Sequence, residues 1–128
     1  MRITLVISSL GGGGAERVIS MMARYWAELG HQVSVITFDN GSTPFYRLGD
    51  NVRWYALNIT KNSALWFDGV LNNLKRIYLL HKGILKTKPD CVVSFMHTTN
   101  ILVLLATRLL PCKVIISERN YPKYIRER

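Results

Sequence analysis

The chain has 128 residues, of which 48% are hydrophobic and 20% are charged, and its net charge is +9. This length and composition are typical of one globular domain with a buried core, and we predict a single domain over residues 1–128. The longest apolar stretch, Ile101 to Ala106, is far shorter than the roughly 20 residues of a membrane-spanning helix, which excludes such a helix. The two cysteines lack the spacing of a metal or redox motif, which indicates free thiols in a cytosolic protein.

A strand, a glycine-rich loop and a helix open the chain. The apolar run over residues 2–8 predicts a strand that is buried on both faces of a parallel sheet, and four glycines follow at positions 11–14. Apolar residues at three- and four-residue spacing then predict a helix over residues 15–29, capped by Gly30. Its buried side is predicted to carry Val18, Ile19, Met22, Tyr25, Trp26 and Leu29. Because glycines let the backbone approach a ligand and a helix N-terminus offers unpaired N–H groups, this segment predicts a phosphate site.

Short apolar strands and amphipathic helices alternate along the rest of the chain. We predict strands over residues 32–38, 52–57, 91–95 and 113–117, and helices over residues 69–87 and from Thr98 or Thr99 to Leu110, the last with a threonine cap. The apolar side of the helix over residues 69–87 is predicted to carry Val70, Leu71, Leu74, Ile77, Tyr78, Ile84 and Leu85. His81 falls within that side, which favours a hydrogen-bonded core or boundary histidine. This alternation predicts an α/β fold with a Rossmann-like parallel β-sheet flanked by helices, whose ligands lie at the carboxyl ends of the strands.

Polar residues directly follow several of these strands and are the candidate ligand contacts. The glycine loop lacks the lysine of a P-loop, and Glu16 stands where a dinucleotide fingerprint has its third glycine. A nicotinamide site with Asp39 on the ribose stays open as an alternative, as does a tight glycine turn that binds nothing. The other candidates have structural alternatives: His97 as a surface or capping residue, Thr98 to Asn100 as helix caps, and Glu118 with Arg119 as a surface ion pair.

Four stretches together resemble the N-terminal domain of the family 4 glycosyltransferases. They read GGGGAERV at residues 11–18, LGHQV at 29–33, KPDCVVSF at 88–95 and ISERN at 116–120. Members of this family are retaining enzymes of the GT-B fold, in which two Rossmann-like domains face each other across a cleft. The resemblance covers essentially the whole chain and is strongest to bacterial enzymes that build lipid-linked oligosaccharides and surface polysaccharides. It implies that a C-terminal, donor-binding domain lies outside these residues and that the N-terminal domain alone is inactive.

The resemblance also implies roles for individual positions. Gly12, Gly13 and Gly14 would approach the diphosphate of the nucleotide-sugar donor. The acceptor would be bound by Glu16, His97, Asn100, Glu118, Arg119 and Asn120. His97 and Arg119 are also the candidates for a catalytic side chain, although some relatives carry a histidine at the position of Arg119. Such enzymes need no protein nucleophile and no cofactor, since the leaving phosphate takes the acceptor proton, and no metal is expected because the chain has no carboxylate cluster.

The positive charge is concentrated in one part of the chain. Between Lys61 and Lys88 there are six basic residues and one acid, which predicts attraction to an anionic membrane leaflet, a nucleic acid or a phosphorylated substrate. A lipid-linked acceptor favours the inner face of the plasma membrane, contacted through Lys75, Arg76, Lys82 and Lys86. Nucleic acid is not expected, because the aromatic residues are not interleaved with the basic ones. Two further classes stay open: a non-catalytic module that binds a nucleotide or glycolipid, and a nicotinamide oxidoreductase domain.

Overall fold

Strands and helices alternate along the chain as the sequence predicts. The computed structural model describes residues 1–7, 14–39, 48, 51–58, 66–95, 97–108 and 110–117, and of residues 14, 15, 66–73, 97 and 98 it describes the backbone alone. The elements are β1 (Arg2–Ile7), α1 (Gly14–Glu28), β2 (Gln32–Thr37), β3 (Val52–Ala56), α2 (Trp66–Thr87), β4 (Cys91–Phe95), α3 (His97–Ala106) and β5 (Lys113–Ser117). Among the described helices, none combines the length and apolarity needed to cross a membrane.

The five strands form one parallel sheet with the order β3-β2-β1-β4-β5. The central strand is β1, in which Ile3 pairs with Val33 of β2 on one side and with Cys91 of β4 on the other. Residues 3–7 of β1 are all buried, because helices cover both faces of the sheet and side chains alternate between them. The predicted α/β fold with a Rossmann-like parallel sheet is confirmed.

One face of the sheet, which we call the α1 face, is covered by α1. Ile19 and Ala23 of this helix are fully buried in a cluster with Leu5 and Val35 of the sheet. Tyr25 was predicted on the buried side, but it is 60% exposed, because it stands about 200° around the helix from Ala23. Leu29, predicted on the same side, is exposed as well.

The predicted glycine cap of α1 is confirmed. Gly30 has a φ of +98°, a conformation that favours glycine. The Gly30 N–H donates to the Ala27 carbonyl and the His31 N–H to the Trp26 carbonyl. These two bonds make a Schellman motif, which ends the helix and turns the chain into β2.

The opposite face, which we call the α2–α3 face, is covered by two helices that pack against each other. Leu80 and Ile84 of α2 and Val103 of α3 are fully buried in a cluster with Val6 and Ile36. A hydrogen bond joins the two helices, since Nδ1 of the half-buried His81 lies 2.7 Å from the Ala106 carbonyl oxygen. The prediction of a hydrogen-bonded boundary histidine is confirmed.

The apolar side predicted for α2 is wider than the part that meets the sheet. Leu74, Tyr78 and Leu85 were predicted on that side, but all three are exposed. Only the side of α2 that contains Leu80 and Ile84 packs on the sheet, because a helix on a flat surface buries one stripe of its circumference.

The bounds of the last two helices also differ from the prediction. The helix α2 begins three residues earlier, at Trp66, and α3 runs from His97 to Ala106, so that Thr98 and Thr99 lie in its first turn and not at its cap. Beyond Ala106 the chain leaves the α-helical pattern: the Leu110 N–H donates to the Thr107 carbonyl three residues back, and the Thr107 hydroxyl donates to the Val103 carbonyl. These contacts close the last turn ahead of Pro111, which cannot continue a helix.

Candidate functional site

The strands β1 and β4 meet at a topological switch point. They are neighbours at the centre of the sheet, but the chain leaves β1 towards β2 and leaves β4 towards β5, in opposite directions. The helix that follows β1 lies on the α1 face, and the helix that follows β4 lies on the α2–α3 face. In open α/β sheets such a switch point is where ligands bind, in a crevice at the carboxyl ends of the strands, and we call this place beside β1 and β4 the crevice.

Two helix N-termini flank this crevice. The helix α1, which follows β1 in the chain, begins at Gly14, and α3, which follows β4, begins at His97. The first N–H groups of a helix have no partner within the helix itself, and each N-terminus is the positive end of a helix dipole. Glu16 lies half-buried in the first turn of α1, where the dipole favours a carboxylate. The crevice is thus electrostatically suited to an anionic group such as a phosphate.

Asn100 joins three elements at one wall of the crevice. Its Oδ1 accepts a hydrogen bond of 2.7 Å from the Ser94 hydroxyl of β4, and its Nδ2 donates to the Ser117 carbonyl of β5 over 3.3 Å. The side chain is only 2% exposed. These bonds hold the first turns of α3 against the carboxyl ends of β4 and β5, while the acceptor contact predicted for Asn100 stays a prediction.

Ser94 and Ser117 were missed by the sequence analysis. Ser94 interrupts the otherwise apolar run of β4 and is fully buried. A hydroxyl in a strand that is covered on both faces needs a hydrogen-bond partner. The position of Ser94 in an apolar strand was therefore the one available signal that a polar partner lies next to it. The identity of that partner depends on which strand and helix lie beside it, which the sequence does not state.

Asp39 is held at the far side of the same sheet edge. Its Oδ1 accepts a 2.8 Å hydrogen bond from the buried Thr37 hydroxyl, which in turn accepts one of 2.9 Å from the Trp54 Nε1–H. The Asp39 carbonyl accepts from the Asn58 N–H. The carboxylate predicted for a nicotinamide ribose is therefore engaged by the end of β2, its own strand.

The structure brings part of the predicted site together. Gly14 and Glu16 open α1, and His97 and Asn100 open α3, so these four positions share the edge of the sheet formed by β1 and β4. The His97 side chain lies outside the described part of the structure, as do Gly12, Gly13, Glu118, Arg119 and Asn120. The last three directly follow Ser117, the final residue of β5. The donor, acceptor and catalytic roles of all these residues stay predictions.

Comparison with known proteins identifies relatives of this chain. The sequence profile of Glycosyltransferase Family 4 matches residues 12–125. A protein of Campylobacter jejuni, named GalNAc-alpha-(1->4)-GalNAc-alpha-(1->3)-diNAcBac-PP-undecaprenol alpha-1,4-N-acetyl-D-galactosaminyltransferase, is 32% identical over 126 residues. That match covers 98% of this chain and 34% of the relative. The chain thus spans about a third of the length of this curated relative.

Solved structures of other proteins share the fold. A glycosyltransferase of Rickettsia africae gives a TM-score of 0.61 at 22% identity, covering 89% of this chain and 28% of that one. Sucrose-phosphate synthase of Thermosynechococcus elongatus gives a TM-score of 0.73 at 10% identity, and the match covers 100% of this chain and 35% of that one. MurG of Acinetobacter baumannii gives a TM-score of 0.67 at 20% identity, and the match covers 94% of this chain and 36% of that one. At these identities the likeness concerns the fold, and it confirms the predicted half of a GT-B architecture.

Proposed function

The chain belongs to glycosyltransferase family 4, and we propose that it forms the N-terminal, acceptor-side domain of a retaining glycosyltransferase. The protein would transfer a sugar from a nucleotide-sugar to a saccharide or lipid-linked acceptor in the synthesis of bacterial surface glycans. The family match over residues 12–125 carries this proposal. It favours sugar transfer over the two alternatives, a non-catalytic binding module and a nicotinamide oxidoreductase domain.

The crevice at the switch point suits the chemistry of the leaving group. When the bond between sugar and nucleotide breaks, negative charge develops on the diphosphate, and fixed N–H donors stabilise that charge best. The helix α1 begins at Gly14, and the N–H groups of a helix N-terminus are suited to this role. We assign the donor phosphate to Gly12, Gly13 and Gly14, and we expect the leaving phosphate itself to take the acceptor proton.

The acceptor is proposed to lie along the α3 side of the crevice. The predicted acceptor contacts all follow β1, β4 or β5 in the chain; they are Glu16, His97, Asn100, Glu118, Arg119 and Asn120. The name of the Campylobacter relative includes a saccharide on undecaprenol through a diphosphate. A polyprenyl-diphosphate-linked saccharide is therefore the acceptor class that we propose for this chain.

An acceptor on a lipid requires the protein to work at a membrane, and the cations of α2 are suited to this. Lys75, Lys82 and Lys86 are exposed, whereas Arg76 is half-buried. Each basic residue near an anionic bilayer contributes about 1 kcal/mol of attraction. We propose that the protein is cytoplasmic and peripheral on the inner face of the plasma membrane.

The test of sugar transfer uses the chain together with its donor-binding domain, which is expected outside residues 1–128. The protein is incubated with UDP- and GDP-sugars and a polyprenyl-diphosphate-linked saccharide, and the product is identified by mass and by the configuration of the new linkage. We expect transfer with retention, and a lower kcat in Arg119→Ala. Specific binding of NAD(P) that Asp39→Ala weakens, with no transfer from any donor, would overturn the proposal.

The test of membrane attachment is independent of catalysis. The chain is sedimented with vesicles of phosphatidylcholine that contain increasing amounts of phosphatidylglycerol. Binding should rise with the anionic fraction and fall strongly when Lys75, Arg76, Lys82 and Lys86 are all replaced by Glu. Reversing Arg17 and Arg24 on α1 is the control and should change it little. Binding that depends on neither the anionic lipid nor the α2 cations contradicts this part of the proposal.

A further inference from the structure

The outer surface of α2 carries a row of exposed apolar side chains. Leu74, Tyr78 and Leu85 are 59%, 58% and 47% exposed. They lie within about 40° of one another around the helix axis and extend over about 16 Å along it. We call these three residues the outer stripe. The inner arc of the same helix meets the sheet through Leu80 and Ile84, so the stripe is not needed for the core.

Cations line one side of the outer stripe. Lys75, Lys82 and Lys86 are exposed, and the Lys82 Nζ lies 5.4 Å from the centre of the Tyr78 ring. Among the α2 side chains that the structure describes, those of residues 74–87, none is acidic. A surface with a narrow apolar row beside lysines is complementary to an interface in which phosphates overlie hydrocarbon.

The helix α1 offers a matched surface that differs in charge. Met21 and Tyr25 of α1 and Leu29, which directly follows the helix, are exposed to a similar extent, and they form a row at four-residue spacing. Their exposed neighbours include Glu28 as well as Arg17 and Arg24. This mixed surface lacks the single sign of charge that attracts an anionic bilayer. The two helices thus carry similar apolar rows, and charge alone distinguishes them.

We propose that α2 lies flat on an anionic lipid bilayer with the outer stripe inserted at the boundary between headgroups and acyl chains. The lysines beside the stripe contact the phosphates, and Tyr78 keeps its hydroxyl at headgroup level, as tyrosines do at membrane interfaces. This inference rests on the membrane attachment in the proposed function and deepens it. Electrostatic attraction alone would leave the molecule free to rotate on the surface, whereas an inserted stripe fixes which side of the α2–α3 face meets the lipid.

The first experiment compares two triple variants of the chain. In one, Leu74, Tyr78 and Leu85 are replaced by Ser; in the matched control, Met21, Tyr25 and Leu29 are replaced by Ser. Partitioning onto vesicles of phosphatidylcholine and phosphatidylglycerol is measured at low and high salt. The stripe variant should bind at least about tenfold more weakly, since three apolar side chains no longer leave water, and salt should abolish what remains. The control variant should bind like the unmodified chain.

The second experiment locates the side chain directly. Tyr78→Trp is compared with Tyr25→Trp, which has a similar exposure on the other helix. With vesicles that contain lipids brominated along the acyl chain, the added fluorescence of Tyr78→Trp should shift to shorter wavelength and be quenched. The Tyr25→Trp signal should do neither. Each replaces one exposed aromatic residue by another, so both variants should fold.

The outcomes separate this inference from the rest of the proposal. If the stripe variant binds normally and Tyr78→Trp is not quenched, while reversing the lysines abolishes binding, attachment is electrostatic and the insertion is wrong. If neither change affects binding, the proposed membrane attachment fails as well. If replacing the stripe abolishes self-association in sedimentation velocity and leaves vesicle binding intact, the stripe joins two copies of the chain and the inference is overturned.

Discussion

The two faces of the sheet bury similar residues on the inside and differ on the outside. Ile19 of α1 and Leu80 of α2 are both fully buried, and each packs on the same central strand from its own side. Outside, the apolar row of α1 is surrounded by charges of both signs, whereas the charged neighbours of the outer stripe, among the α2 side chains of residues 74–87 that the structure describes, are lysines. The number of exposed apolar residues therefore does not identify a docking surface; the charge around them does.

The helices also differ in how they are attached to the sheet. On the α2–α3 face, the Thr4 hydroxyl of β1 donates to Oγ1 of Thr87 at the end of α2, and Asn100 joins α3 to β4 and β5. On α1, the buried Ser20 hydroxyl donates to the Glu16 carbonyl within its own helix. Hydrogen bonds thus fix the α3 wall of the crevice.

The largest predicted effect tests whether the inner surfaces are equivalent. Leu80→Ala and Ile19→Ala should each lower the free energy of unfolding by about 2–5 kcal/mol, because each leaves a cavity in a closed core. Leu74→Ala and Met21→Ala, on the outside of the same helices, should change it by less than about 0.5 kcal/mol. Urea denaturation of the four variants measures this. A loss for Leu80→Ala as small as that for Leu74→Ala would show that α2 does not pack on the sheet through this side.

A smaller effect should distinguish the attachment of the helices. Asn100→Ala leaves the buried Ser94 hydroxyl and the Ser117 carbonyl without this partner, which should cost about 1–3 kcal/mol. Ser20→Ala removes only a bond to the preceding turn of the same helix and adds a better helix former, so we expect a change below about 0.5 kcal/mol. Equal losses in urea denaturation would mean that the Asn100 amide does not tie α3 to the strands.

Local patterns predict the features that neighbouring residues determine. The apolar run of β1, the Gly30 cap and the boundary position of His81 each follow from residues within a few positions, and the structure has all three. The contacts of Asn100 with β4 and β5 depend instead on strand order. That order is a property of the whole sheet, and right-handed crossovers then determine which face each helix covers; no local spacing reveals it.

The outer stripe of α2 shows a second limit of the sequence. Periodicity gives the angle of each residue around a helix. When the apolar side is as wide as that of α2, these angles do not determine which part of it packs on the sheet. Leu74 and Leu80 are equally apolar, yet one is exposed and the other buried. The neighbours of α2 determine which side is buried. Among them are α3, which His81 contacts, and Leu57, which lies beside Gly83.

The smallest predicted effect concerns the cysteines, one on each face. Cys91 belongs to the core of the α1 face, and Cys112 packs at the edge of the α2–α3 face, where it lines an apolar groove. Burial raises the pKa of both thiols, partly offset at Cys91 by the charge of Lys113. A raised pKa leaves less thiolate at a given pH, so alkylation by iodoacetamide should be slower than in the unfolded chain and should increase only at higher pH.

Access should then separate the two cysteines. Cys91 is buried and Cys112 only half-buried, so Cys112 should be alkylated first at every pH. Alkylation of Cys91 should require local opening of the sheet. Mass spectrometry of partially labelled protein gives the order, and the Leu80→Ala and Ile19→Ala variants sharpen it. If each face opens by itself, Ile19→Ala should accelerate Cys91 more than Cys112. Equal acceleration of both thiols by either variant would mean that the two faces, despite their different outer surfaces, unfold as one cooperative unit.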